Sequence, residues 1–187
     1  MVVVIILVVI LVVIILPLVF LVITALNRLR GQQVAVEEAM SGIDVQLTRR
    51  SDLIPNLVET VKGYMGHERE TLEAVTQARV SSQQADSVGE KAAADGQMQQ
   101  ALANLFAVAE AYPDLKASTN FAQLQTELTR TEDNLSFARQ FYNDAAATLN
   151  RTIVTIPWSF FVGMSGVSRA EFYEAPAGQD LPPQVSF

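Results

Sequence analysis

Residues able to do acid-base or ligand chemistry are few in this chain, and each group lacks a component its chemistry requires. His67, the sole histidine, stands beside Glu68 and Glu70 in HERE. An imidazole among carboxylates can share a proton or hold a metal, but a zinc helix needs a second histidine one turn away, so HERE reads as a solvated helix start. Arg49 and Arg50 with Asp52 suit an anionic ligand, yet carboxylates on a neighbouring helix account for them without one. Gly163, Ser165 and Gly166 follow no strand and form neither a phosphate loop nor a nucleophile elbow. Tyr142 and Asn143 near Arg139 are polar for a packed helix face and read as a hydrogen-bond network. Cysteine is absent from the sequence, which excludes disulfides, thiolate metal ligands and cysteine nucleophiles. The residues therefore point away from an enzyme, with no catalytic residue, metal site or cofactor expected.

The elements that carry these residues begin with an uncharged apolar run from Met1 to Leu26, which includes Val2, Leu16, Pro17 and Phe20. As a helix it is about 39 Å long at ~1.5 Å per residue, enough to span a hydrocarbon core of about 30 Å with some tilt. Some twenty Leu, Ile, Val and Phe residues favour insertion by ~6 to 10 kcal/mol, and Pro17 is expected only to kink the span. No basic residue precedes the run, and it exceeds the apolar core of a secretory signal, so it is expected to stay attached. Arg28 and Arg30 follow at once. By the positive-inside rule the amino terminus lies outside and the remainder in the cytoplasm.

The 187-residue chain has 13 Lys and Arg against 20 Asp and Glu, a net charge of −7. That balance argues against nucleic acid as a partner, because phosphate binding needs a basic surface. Beyond the anchor the length suits one domain of ordinary size.

Leu29, Val36, Met40, Ile43, Leu47, Ile54, Leu57, Val61 and Tyr64 recur on alternating steps of three and four, with Gln33 and Arg50 in the polar gaps. This pattern predicts a long amphipathic first helix packed in the coiled-coil manner. Pro55, with Asp52 as a cap for a restarted segment, predicts a kink or break between Ser51 and Pro55; Gly63 and Gly66 end the helix. A second helix is expected over 67–83 with Leu72, Val75 and Ala78 inward, then a mobile stretch over 84–96 that reads as a loop or a frayed helical lead-in. A third runs from Met98 through Leu102, Leu105, Phe106, Ala109 and Tyr112 to Pro113. The fourth, capped by Ser118, Thr119 or Asn120, carries Phe121, Leu124, Leu128, Thr131, Leu135, Ala138, Tyr142, Ala145, Leu149, Thr152 and Ile156 inward and ends at Pro157.

The fold class expected is all-α: a single transmembrane helix over 1–26, then an antiparallel up-down four-helix bundle over 27–156 with long first and fourth helices. Setting Tyr64 near Phe121 brings Arg49 or Arg50 to Glu132 and Asp44 to Arg139 as cross-helix ion pairs.

The segment IDVQLTRRSDLIPNLVETVKGYMGHE from Ile43, the segment NLSFARQFYNDAAATLN from Asn134, and EFYEA from Glu171 closely resemble the LemA family, in the family's order behind an amino-terminal membrane helix. The resemblance covers most of the chain. It implies a bacterial membrane protein with a helical-bundle domain, in a family without an established activity or catalytic residues. The chain departs from the pattern over 32–40, where Met40 replaces a commoner aromatic residue.

Beyond the bundle, the segment 157–175 gathers Trp158, Phe160, Phe161, Val162, Met164 and Val167. Three coverings suit so much apolar area: the bundle base, the membrane interface, or another copy. Residues 176–187 read as a flexible tail. The function expected is a non-enzymatic, self-associating scaffold in the bacterial inner membrane, partnered by the lipid bilayer and by further copies. The alternative is a regulatory adaptor for a membrane enzyme or sensor.

Overall fold

In the computed structural model, which describes residues 1–66 and 68–174, helix α1 runs unbroken from Val2 to Lys62. Of the kink or break expected between Ser51 and Pro55, the break is absent. Proline at 55 has no N–H for the carbonyl four residues earlier, so the Ser51 oxygen loses its helical donor. Arg79 supplies a substitute, its Nε donating to the Ser51 carbonyl at 3.0 Å. The helix also continues through Pro17.

Helix α2 spans Arg69–Gln84, α3 Val88–Ala109, α4 Pro113–Lys116 and α5 Thr119–Val154. A 3-10 turn follows over Trp158–Phe161, then the short α6 over Val162–Ser165. Every regular element among the described residues is helical. The predictions for His67 and for residues 176–187 lie outside the described residues.

Of the two readings for 84–96, a loop or a frayed helical lead-in, the structure shows helix over most of the stretch, as part of α3. Ser87 and Glu90 form a capping box, each side chain bonded to the other's backbone amide, so α3 starts about ten residues before Met98. Those backbone bonds hold the Glu90 carboxyl below its usual range. Helix α3 stops at Ala109, short of Tyr112, and Pro113 opens α4 as its first residue, where a missing N–H costs nothing. Ser118 caps α5 through a weak 3.5 Å contact with the Phe121 amide. Helix α5 ends at Val154, leaving Ile156 exposed rather than inward.

The chain divides into two compact units. The first joins residues 1–39 with 144–170. Along α1 every residue from 1 to 21 is exposed, and burial begins at Ala25 and Leu29, both 0% exposed. Leu149, Thr152, Ser165 and Val167 are buried in the same unit. Gly166 closes α6 at φ 73°, a left-handed conformation that favours glycine.

The second unit joins residues 40–143 with residues 171–174. Its core draws on every helix in the unit: Ile54, Leu57 and Val61 of α1, Leu72, Val75 and Ala78 of α2, Met98, Leu102 and Leu105 of α3, Leu115 of α4, and Phe121 and Leu128 of α5. Phe106 meets Phe121 edge to face at 6.1 Å. Tyr64 lies outside this core at 44% exposed, because α1 has ended at Lys62; Met65 is buried instead.

Candidate functional site

Arg50 occupies a gap in the apolar repeat of α1, so the helix turns its guanidinium inward, where its side chain is 3% exposed. A buried charge persists only with partners of opposite sign. Arg50 Nη1 bonds Glu132 of α5 at 2.7 Å, and Nη2 bonds Asp95 of α3. Arg139, seven residues after Glu132 on α5, contacts Asp95 at 2.6 Å and Glu132 at 3.1 Å. Gln99 donates to Glu132 at 3.3 Å. Two guanidinium and two carboxylate charges thus cancel among three helices.

Asp95 also accepts from the Tyr173 hydroxyl at 3.0 Å, while the Arg139 guanidinium lies 5.9 Å from the Tyr173 ring centroid. Burial pushes the Tyr173 phenol well above its ordinary range, and the Asp95 carboxylate adds to the shift. Tyr142 meets Tyr173 edge-on at 6.5 Å and donates to the Glu171 carbonyl at 2.8 Å. Burial raises the Tyr142 phenol too.

Asparagines fix the segment outside any regular element that carries Tyr173. Asn143 donates to the Tyr173 carbonyl at 3.1 Å and accepts from its amide at 2.9 Å. The same paired bonding recurs in the first unit, where Asn150 donates to the Ala170 carbonyl and accepts from its amide, both at 2.9 Å. Each amide side chain imitates a neighbouring strand, so backbone outside any regular element has both its groups satisfied.

These interactions tie α1, α3 and α5 to the segment that carries Tyr173. Among the described residues no group of three or more His, Cys, Asp or Glu side chains is placed to hold a metal. The predicted contact of Arg50 with Glu132 is present, while Arg49 reaches Glu127 instead, at 3.0 Å with both side chains partly exposed. The predicted pair of Asp44 with Arg139 is not formed. Asp44 bonds Lys91 at 2.6 Å, and Arg139 is taken by Asp95 and Glu132. Both displacing residues, Lys91 and Asp95, lie in the stretch expected as a loop or frayed helical lead-in; the Ser87-to-Glu90 capping-box spacing is the sequence signal for a firm helix start there.

In the first unit the Arg28 guanidinium lies 4.8 Å from the Trp158 ring centroid, and Arg30 approaches the Ser165 carbonyl at 3.5 Å. Phe161 is partly buried, whereas Phe160 and Met164 are exposed. Val2, Leu16, Pro17 and Phe20 lie on the exposed stretch of α1.

A family model described as the LemA family matches residues 39–187. The magnetosome protein MamQ of Magnetospirillum gryphiswaldense is 28% identical over 202 aligned positions, covering 91% of this chain and 74% of that protein. Magnetosome protein MamQ 2 of Paramagnetospirillum magneticum is 38% identical over 86 residues, which span 46% of this chain and only about a third, 32%, of the relative's length. Protein LemA of Metamycoplasma hominis is 31% identical over 134 residues, 69% of this chain and 59% of that protein.

Proposed function

The chain belongs to the LemA family, and on that premise we propose that it is a non-enzymatic membrane-anchored helical protein that associates with itself and organises membrane or partner proteins. The observation that carries the anchoring is the exposure of every residue from 1 to 21, an apolar surface that water disfavours and a hydrocarbon core accommodates. Family membership and likeness to magnetosome proteins support a membrane-associated role.

The helices of the second unit form an antiparallel up-down bundle in this reading. Support comes from residue order: Arg50 pairs with Glu132, whereas Asn56 and Thr60 line a groove with Asn120 and Gln123, so advance along α1 matches retreat along α5. Orientation follows from charge. Arg28 and Arg30 stand immediately past the apolar run, which favours placing the bundle on the cytoplasmic side of the inner membrane.

Self-association rests on Phe137 and Phe141, one turn apart on α5 and exposed by 72% and 67%. Anchoring aligns copies and raises their effective concentration, so modest apolar contacts suffice. Crosslinking in native membranes tests this: multimers are expected from the natural chain and fewer from a variant with Phe137→Ser and Phe141→Ser. Recovery of monomers alone contradicts self-association, and a stoichiometric foreign protein in place of a second copy favours the adaptor reading.

A further inference from the structure

The end of α5 and the turns that follow expose Val154, Ile156, Phe160 and Met164, by 64%, 72%, 73% and 63%. These side chains belong to the same compact unit as the emerging anchor. Trp158 is held against Arg28, and Ser165 against Arg30, so the exposed cluster stands beside the first turns of α1 past the apolar run. About twenty residues fill a hydrocarbon core of about 30 Å, which sets its boundary near the place where α1 first becomes covered, at Ala25.

Charge distinguishes this region from the rest of the chain. No carboxylate occurs from residue 145 to 170 or from 1 to 36, yet Arg28, Arg30, Arg151 and Arg169 fall there, in a chain of net charge −7. All four arginines are exposed. Apolar side chains flanked by cations only, next to an anchor, match the boundary between acyl chains and anionic headgroups. Tryptophan beside a cation is likewise suited to the headgroup level.

We propose that residues 154–165 form a foot that inserts Ile156, Phe160 and Met164 into the interfacial layer of the leaflet from which α1 emerges, with the four arginines facing anionic headgroups. The proposal rests on the membrane-anchor reading. A second attachment of this kind restricts rotation of the first unit about its anchor, so that the chain meets its neighbours in a defined orientation.

Trp158 is the only tryptophan, so the natural chain carries its own probe. The full chain is reconstituted in phosphatidylcholine vesicles with or without phosphatidylglycerol, using lipids brominated near the headgroup or near the acyl terminus. The foot predicts that Trp158 loses more emission to bromine near the headgroup, that the loss grows with phosphatidylglycerol, and that Trp158→Phe with Phe160→Trp loses more than the natural chain. Absence of quenching in a chain that resists carbonate extraction overturns the foot and leaves the anchor standing. Release by carbonate overturns the anchor and the foot together. Disulfide trapping between copies at Met164→Cys without lipid quenching also overturns it, by assigning the surface to a second copy.

Discussion

Tyr173 donates its phenolic hydrogen to Asp95 at 3.0 Å, joining residues 78 apart in sequence, within a cluster where Asp95 also meets Arg50 and Arg139. Asp95 is the carboxylate on which two cations and a phenol converge. The segment after α6 is thereby tied into the polar layer of the helices, so the family's third motif has a structural task.

Asp95→Ala leaves the Arg50 guanidinium, 3% exposed, with Glu132 as its remaining carboxylate. Removing one member of a buried pair costs about 3 to 5 kcal/mol, whereas an apolar replacement of both is close to neutral. Denaturant unfolding of the full chain in mild detergent is expected to show a loss of that order for Asp95→Ala, with most of it recovered by Asp95→Leu combined with Arg50→Met. A loss well below 1 kcal/mol contradicts the network's role.

Alkaline pH acts through the phenols. Tyr173 has its folded pKa raised by burial and by Asp95, so its neutral form is the one the fold retains. Its contribution is therefore complete below the unfolded value of about 10 and declines as pH rises above that value. The unfolding midpoint is expected to fall above about pH 10, less steeply in Tyr173→Phe. Equal steepness in the two proteins contradicts the assignment; Tyr142 and Tyr112, also raised, retain a residual slope in both.

Asn150→Leu removes both bonds to Ala170, next to Arg169. At ~1 kcal/mol for each hydrogen bond, the segment opens more often by roughly one to two orders of magnitude. Trypsin is then expected to cut after Arg169 faster than in the natural chain. An unchanged rate shows that other contacts hold the segment.

Arg79→Ala withdraws the donor that serves the Ser51 carbonyl. A loss of about 1.5 to 3 kcal/mol is expected, the range for hydrogen bonds from charged groups. Pro55→Ala returns an N–H to the helix, so Arg79→Ala is expected to be milder in that background. Equal losses in the two backgrounds, in a double-mutant cycle by chemical denaturation, refute the compensation.

The sequence made the inward faces of α1 and α5 legible because their apolar residues keep a helical period; Leu29, Ile43, Leu57, Leu128, Leu135 and Leu149 are buried where that period places them. It concealed the start of α3, whose inner face is built from Ala92, Ala94 and Asp95. Small residues and a buried carboxylate carry little hydropathy signal, and Asp95 becomes tolerable inside only once Arg50, Arg139 and Tyr173 converge on it. With the start of α3 hidden, so are the partners that set the ion pairs, Lys91 for Asp44 and Asp95 for Arg139. The sequence left a kink or a break open at Pro55, and it could not exclude the break because the compensating group, Arg79, belongs to another helix.

Carbonate extraction of membranes containing the full chain tests the anchor on which the account depends. The protein is expected to remain in the pellet, and a variant with Val9→Arg and Val13→Arg, which places charges inside the apolar run, to move to the supernatant. Release of the natural chain under the same wash contradicts the account.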